Sequence, residues 1–317
     1  MTMAVSIPRW ALLGFLLVSM SCTSGGTGGS GSPVVAVGTV TGFGSIVVNG
    51  VKFDTTDATI ILNGRRGSEA DLQLGHVVTV RGTRGPNGTV ATAETVAVDN
   101  SAEGPIDSID LATNHLVVLG QIVRIDDRTQ FGDTPLSALE IGNIVEVSGF
   151  ADADGVLRAT RVEKTQDVFT PGTEIEIEGI ITTLDDENQT FMLNTLQVDF
   201  STAQLINLPG NQLRNGQIVE VKSAQTVVNG VLLADSIAVK NVGVTGAHGE
   251  AIELQGIIIR VLAADTFEVD DQPVRLTPAT GFEGGTAADI AVNVPVKVDG
   301  FFDAEGVLVA VEIDFLQ

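Results

Sequence analysis

Apolar and polar residues alternate one by one in four similar stretches of the chain. In GHVVTVRGT, residues 75–83, Val78 and Val80 fall on one side and Thr79 on the other. GNIVEVSGF (142–150) sets Val145 and Val147 against Glu146, GQIVEVKSA (216–224) sets Val219 and Val221 against Glu220, and NVPVKVDGF (293–301) sets Val296 and Val298 against Lys297. A period of two is that of a half-buried β-strand. The valines are therefore predicted to face a core and the Thr, Glu or Lys to face water.

Each stretch belongs to a longer unit. A glycine heading another apolar strand precedes it by 37 or 38 residues: Gly38 before Gly75, Gly104 before Gly142, Gly179 before Gly216 and Gly256 before Asn293. Between these marks lies an apolar hairpin on a small polar turn: SIVVNGVKFDTT, HLVVLGQIVRIDD, TFMLNTLQVDFST and TFEVDDQPVRLTP. Asn49-Gly50 favours a two-residue turn with positive φ at both positions, and Asp270-Asp271 is a weaker version of it. The units close on NGTVATAETV, DGVLRATRV, NGVLLADSI and EGVLVAVEI. There an alanine and the Val or Ile three residues later have opposite parity, which predicts a bulge or a strand covered on both sides. Pro295, which has no N–H to donate, predicts an edge in the fourth unit.

The connecting stretches RRGSEADLQLG, GDTPLSALEIG, NLPGNQLRNG and FEGGTAADIAV hold capping residues before a few helix formers, enough for one helical turn. Five strands with a short helix or loop between the third and fourth is the order of an OB-type Greek-key barrel. The predicted fold class is thus all-β, with four tandem small five-stranded OB-like barrels at 34–100, 101–170, 171–246 and 247–317. Units of about 70 residues bury a small share of their surface, so neighbours are expected to pack, and the apolar residues of TPGTEIEIEG are available for it.

The N-terminus differs from everything after it. MTMAVSIPR carries a positive charge, WALLGFLLVSM is an apolar run too short to span a bilayer, and Ser21 precedes Cys22. Residues 1–22 read as a secretory signal, and Cys22, the only cysteine, as a lipidation site that would replace a transmembrane anchor. The resemblance to a bacterial lipobox is imperfect, since Ser19 stands where Leu is usual. TSGGTGGSGSP, residues 23–33, reads as a flexible tether.

The recurring G-x-[IV]-V-x-V-x-G strand, its DG-x-L-x-A-x-x-[VI] sequel and its Gly-headed first strand resemble the bacterial domain-of-unknown-function family numbered 5666. The resemblance covers most of residues 34–317. It implies periplasmic or surface modules behind lipoprotein signals, in agreement with the N-terminus. The motif positions are glycines and core apolar residues, and they carry no catalytic residue to transfer.

Charge narrows the function. With 40 acidic against 17 basic residues and a net charge of −23, the surface repels polyanions, so nucleic acid is a poor partner. His76, His115 and His248 stand apart and form no zinc-type spacing. A nucleophile elbow is missing, and GFGSIVVNG reads as a strand bend at Gly42 and Gly44, not a phosphate loop. FADADGVL, DDENQT, VDDQP and FFDAEGVL gather oxygen ligands as calcium sites do, but none completes an EF-hand set, and Asp and Asn are ordinary turn residues. Phe53, Phe131, Phe191, Phe200 and Phe267 read as core fillers and not as a stacking platform. The expected function is a non-enzymatic, lipid-anchored envelope protein, a tandem scaffold or protein-binding array that needs no metal or cofactor. The alternative is a periplasmic protein binding a small ligand, carbohydrate or metal ion in a cleft between modules.

Overall fold

The computed structural model describes residues 31–85, 88–208, 210, 212–240 and 243–316. The expected signal 1–22, the lipidation site Cys22 and tether residues 23–30 lie outside the described residues. Residues Gly31–Gln317 form one compact unit. It is all-β. Among the described residues, the single 3-10 turns Glu69–Asp71, Leu136–Ala138 and Ala287–Asp289 fall in three of the predicted connecting stretches. Two of them start as their sequence dictates, with Ser68 and Thr286 bonding the Asp three residues on, 2.7 and 2.8 Å away.

Every repeat runs through the same strands. The opening strands are Ser32–Gly42, Ala102–Asp110, Ile175–Asp185 and Ala251–Ala263. The first hairpins pair Ile46–Val48 with Val51–Asp54, His115–Val118 with Gln121–Arg124, Thr190–Leu193 with Leu196–Asp199, and Thr266–Val269 with Gln272–Arg275. The alternating strands are Val77–Arg84, Ile144–Ala151, Ile218–Ser223 and Pro295–Phe302. The closing strands are Val90–Val98, Leu157–Gln166, the interrupted Val231–Leu233 and Ser236–Val239, and Leu308–Phe315. In the first repeat the opening strand pairs with the hairpin, the hairpin's second arm runs parallel to the closing strand, and the closing strand returns through the alternating strand to the opening one. The same circuit of pairings recurs in the other three. A short strand that the sequence reading treats as connector, such as Thr59–Leu62 or Gly281–Glu283, adds itself parallel to the closing strand.

Two recurring glycines have separate causes. Gly75, Gly142 and Gly216 hold φ between 87° and 91°, and the fourth copy places Asn293 there at φ 69°. Asn is among the non-glycine side chains that tolerate this left-handed region, so Asn293 can take the glycine's place in the fourth copy. The second glycine sits opposite the predicted bulge. Register slips between Arg81 and Gly82, Ser148 and Gly149, and Asp299 and Gly300, leaving Glu94, Thr160 and Val311 as extra residues in the closing strands. A Cβ at Gly82, Gly149 or Gly300 would run into the carbonyl oxygen of Thr92, Arg158 or Val309. The third repeat has Ser223 instead, and there the closing strand breaks at Ala234-Asp235, with Ser223 Oγ donating 2.8 Å to Leu233 O.

Pro295 does not mark an edge. Its strand lies between the opening and closing strands of the fourth repeat, with Pro295 as the first residue, opposite Ile257. At a strand's first position the missing N–H costs no interior ladder bond.

The repeats associate through their opening strands. Val34–Val37 run parallel to Ala251–Leu254, joining the first repeat to the fourth. Ala102 and Glu103 pair antiparallel with Ile177 and Glu176, joining the second to the third. Each opening strand is long, so its first half would be a bare edge where the hairpin no longer covers it, and the neighbour fills that edge. Burial follows. Val34, Val35 and Ala36 are all fully buried, breaking the alternation, because Val34 and Ala36 pack in the first repeat's core while Val35 packs in the fourth's. The second and third repeats share one continuous core that includes Val147, Ile175, Ile177 and Val219.

Candidate functional site

The residues singled out in the sequence separate into three groups. Phe53, Phe191, Phe200 and Phe267 are buried, and Phe131 packs against the core, so the phenylalanines are core fillers as predicted. His115 and His248 are not buried, but His76 is. Its Nδ1 accepts from Gln73 N at 3.2 Å, and burial beside Arg161 pushes its pKa down to about 4, so the ring is neutral.

Three of the four acidic turns are occupied with their own backbone. Asp152 Oδ1 accepts from Asp154 N and Val156 N, Asp303 Oδ1 from Glu305 N and Val307 N, and Asp185 Oδ1 from Glu187 N and Asn188 N, all at 2.8–3.1 Å. These are Asx turns, with Arg158 and Arg275 closing on the second oxygens of Asp152 and Asp303. Asp270 instead accepts from Ile257 N at 3.3 Å and stands, with Asp271, at a junction between repeats.

That junction is a cleft built by the packing of repeats. It measures about 210 Å³ and brings Glu178 of the third repeat and Asp99 of the first to Asp270, Asp271 and Gln272 of the fourth. Lys240 lies 2.5 Å from Glu220 Oε2 and 3.8 Å from Glu178 Oε2. Burial, with repulsion from neighbouring carboxylates, lifts Asp270 to about 8, Glu178 to about 7 and Asp271 to about 6.

The larger cleft, about 580 Å³, opens where the parallel opening strands diverge. Past Val37 and Leu254 each strand turns onto its own hairpin, at Val40 opposite Val48 and at Ile258 opposite Val269. Thr39 N donates 3.0 Å to Gln255 Oε1 across the fork, while the buried Thr39 Oγ1 has no partner. The second repeat forms the remaining wall: Thr160 Oγ1 donates to Gly75 O at 2.6 Å, and Arg158 donates to Asn293 O at 3.0 Å. Asp126, Arg128 and Arg158 mix charges of both signs along an otherwise largely apolar lining.

Carboxylates also line the seam of the second and third repeats. Glu146, Glu103, Glu176 and Lys222 stand in one row across four strands. Burial, with repulsion from Glu146 and Glu176, raises Glu103 to about 7. Lys222 Nζ meets Glu176 Oε2 at 2.8 Å. Among the described residues, Glu283, Glu312 and Asp314 are three acids whose oxygens lie within 4.8 Å of one another, with Asp314 Oδ2 engaged by Lys297 at 2.8 Å. Glu103, Glu176 and Glu178 went unrecognised in the sequence because alternation assigns them to water. The one available signal was Glu176 and Glu178 alternating with Ile in TEIEIEG, a strand apolar enough to be covered on both faces.

A strand frame repeated four times, with similarity confined to buried valines and to glycines fixed by turn and bulge, defines a tandem all-β repeat protein. The chain belongs to the family described as Domain of unknown function (DUF5666), whose profile matches it four times, at residues 34–96, 103–163, 178–238 and 255–314. Each match begins in an opening strand and ends in a closing strand. Comparison with the curated proteins finds no match.

Proposed function

We propose that each five-stranded circuit is an OB-like Greek-key barrel, and that the protein is a non-enzymatic, exported platform held at a bacterial membrane by lipid on Cys22. The observation that carries the reading is the pairing of opening strands between repeats, Val34–Val37 with Ala251–Leu254 and Ala102-Glu103 with Glu176-Ile177. It joins units that are individually small into larger sheets, which favours a compact platform for envelope proteins over a chain of independent beads. The residues that recur between copies are accounted for by this frame, so partner recognition is assigned to the outward positions, where the copies differ.

Two experiments test it. Radioactive palmitate should label the native chain and not Cys22→Ala; equal labelling of both rejects the anchor. Capture from envelope extracts should return a specific protein that is lost when outward residues of one repeat are exchanged for those of another. Retention through every exchange rejects the platform reading.

The larger cleft favours a second reading, in which the protein binds a small polar ligand between repeats. A cavity of about 580 Å³ with a buried, unpartnered Thr39 hydroxyl is of ligand size. Calorimetric titration with a panel of oligosaccharides checks it: saturable heat lost in Thr39→Val supports it, and silence across the panel rejects it for that class.

A further inference from the structure

One short strand recurs in every repeat, and among the described residues only the first repeat covers its outer side with a further strand. Thr59–Leu62, Gln130–Phe131, Gln204–Ile206 and Gly281–Glu283 each run parallel to the closing strand of their own repeat. Ile60, Phe131, Leu205 and Phe282 stand at the same place in it, opposite Val96, Val162, Ile237 and Ile313. In the first repeat the chain turns back at Asn63-Gly64, with φ of 47° and 75°, and Arg65–Gly67 lies antiparallel along Thr59–Leu62. Seven residues separate Ile60 from the cap Ser68, whereas three separate Phe282 from the equivalent cap Thr286. The fourth repeat thus has too little chain to fold a strand over its own edge, and Gly281–Glu283 pairs on one side alone among the described residues.

A bare edge presents N–H and C=O groups in the spacing of a strand. Its two faces differ. On one, Glu283 lies opposite Asp314, which lies opposite Lys297, and in the next row Glu312 lies opposite Asp299. Lys297 Nζ meets Asp314 Oδ2 at 2.8 Å and Asp299 Oδ2 at 3.2 Å, so the cation stands on the inner side while Glu283 and Glu312 are exposed at the edge. On the other face Phe282 stacks with Phe315, ring centres 6.4 Å apart.

These features together describe one occupant. The backbone edge calls for another strand, the acidic face for a cation opposite Glu283, and the aromatic face for an apolar neighbour. The first repeat holds that arrangement internally, since Arg66 stands opposite Ile61, the position equivalent to Glu283. The matching edges elsewhere fit less well: Gly75 of the first repeat packs against Gln130, and Gln204–Ile206 carries no charge. We propose that Gly281–Glu283 binds an extended basic segment of a partner protein by antiparallel strand addition. A lysine or arginine of that segment faces Glu283 and Glu312, and an apolar side chain faces Phe282. The inference names a surface and a partner chemistry for the platform reading and rests on it. Binding at this edge can fail while exchange of outward residues still abolishes capture, so the two fail separately.

The test is fluorescence polarisation of the full chain with a labelled peptide, Thr-Arg-Val-Arg-Val-Arg-Thr, at low salt. A second peptide of the same sequence carries methyl groups on alternate backbone nitrogens. Saturable binding of the first is expected, weakened about tenfold in Glu283→Lys and reduced by added salt. It should be lost with the methylated peptide, and lost when Gly284 is replaced by Leu-Asn-Gly-Arg-Arg, which copies residues 62–66 and supplies the missing cover. Asp186→Lys, the same change of charge at an exposed turn of the third repeat, should bind like the native chain. Melting temperatures show which variants fold, and Glu283→Gln replaces Glu283→Lys if the latter does not. Absence of saturable binding, or native affinity in the folded Glu283 variant, overturns the proposal. Equal binding of the methylated peptide overturns it in favour of charge attraction without strand pairing.

Discussion

Glu103 and Glu176 stand directly opposite each other across the seam of the second and third repeats, and Glu146 stands opposite Glu103 on its other side. Like charges at cross-strand positions repel, and burial removes the water that would screen them. Lys222 pairs with Glu176, yet burial still raises Glu176 to about 7, as it does Glu103, so the two share the proton that quiets the row.

Acidification should therefore strengthen this seam. Glu103 titrates near 4.5 when unperturbed and near 7 in the fold. Between those values the folded chain holds a proton that the unfolded chain has released, so this group's contribution to stability falls as pH rises through the window. The loss is at most about 1.4 kcal/mol per pH unit, less because Glu103 is partly exposed. Buried neutral His76 acts in the opposite sense below about 6.5, where the unfolded ring gains the proton. Urea midpoints across this range, compared between the native chain and Glu103→Gln, isolate the carboxyl. The variant should lose less stability on going from mildly acid to mildly alkaline buffer, and parallel curves would refute the assignment.

Phe191 is 1% exposed, and its ring centre lies 5.7 Å from that of Phe200, tilted by 31°, in the shared core of the middle repeats. Phe191→Ala should cost about 3–5 kcal/mol in chemical denaturation. Phe43, 47% exposed, should change stability by less than about 0.5 kcal/mol on the same substitution.

At the bulges, Gly149→Ala should destabilise by about 1–3 kcal/mol, since the new methyl meets the Arg158 carbonyl. Gly142→Asn, by contrast, copies the side chain the fourth repeat carries at its left-handed position and should be tolerated within about 1 kcal/mol. Melting temperatures of the two variants decide both points.

Arg84 and Glu253 form an ion pair across the seam of the first and fourth repeats, with Glu253 almost fully buried. Arg84→Ala strands that carboxylate and should cost about 2–3 kcal/mol, below the value for a fully buried pair because Arg84 keeps some water. Arg84→Ala with Glu253→Gln should cost less than the first change alone, and a double-mutant cycle measures the difference.

The frame was legible because its signals are local. Asn49 and Gly50 do hold φ of 53° and 82°, and Ala159 and Val162 are both buried on either side of the extra residue Thr160, as their parity required. The sites were not, because they are made of residues far apart in the chain. Glu178 and Asp270 meet through the packing of repeats, and Glu176 is buried although alternation points it to water. Alternation reports on one sheet's two faces and is blind to a neighbour that covers the polar one. Pro295 misled for a related reason, since a missing donor marks an edge only inside a strand and not at its first residue.

The parallel pairing of Val34–Val37 with Ala251–Leu254 also has a mechanical meaning. Tension arriving from the N-terminal side enters at Ser32, along a strand held on one flank by Arg84–Val77 and on the other by the fourth repeat. Such a load shears two rows of hydrogen bonds at once instead of unzipping them singly, so the first element to feel a pull is also one of the hardest to draw out.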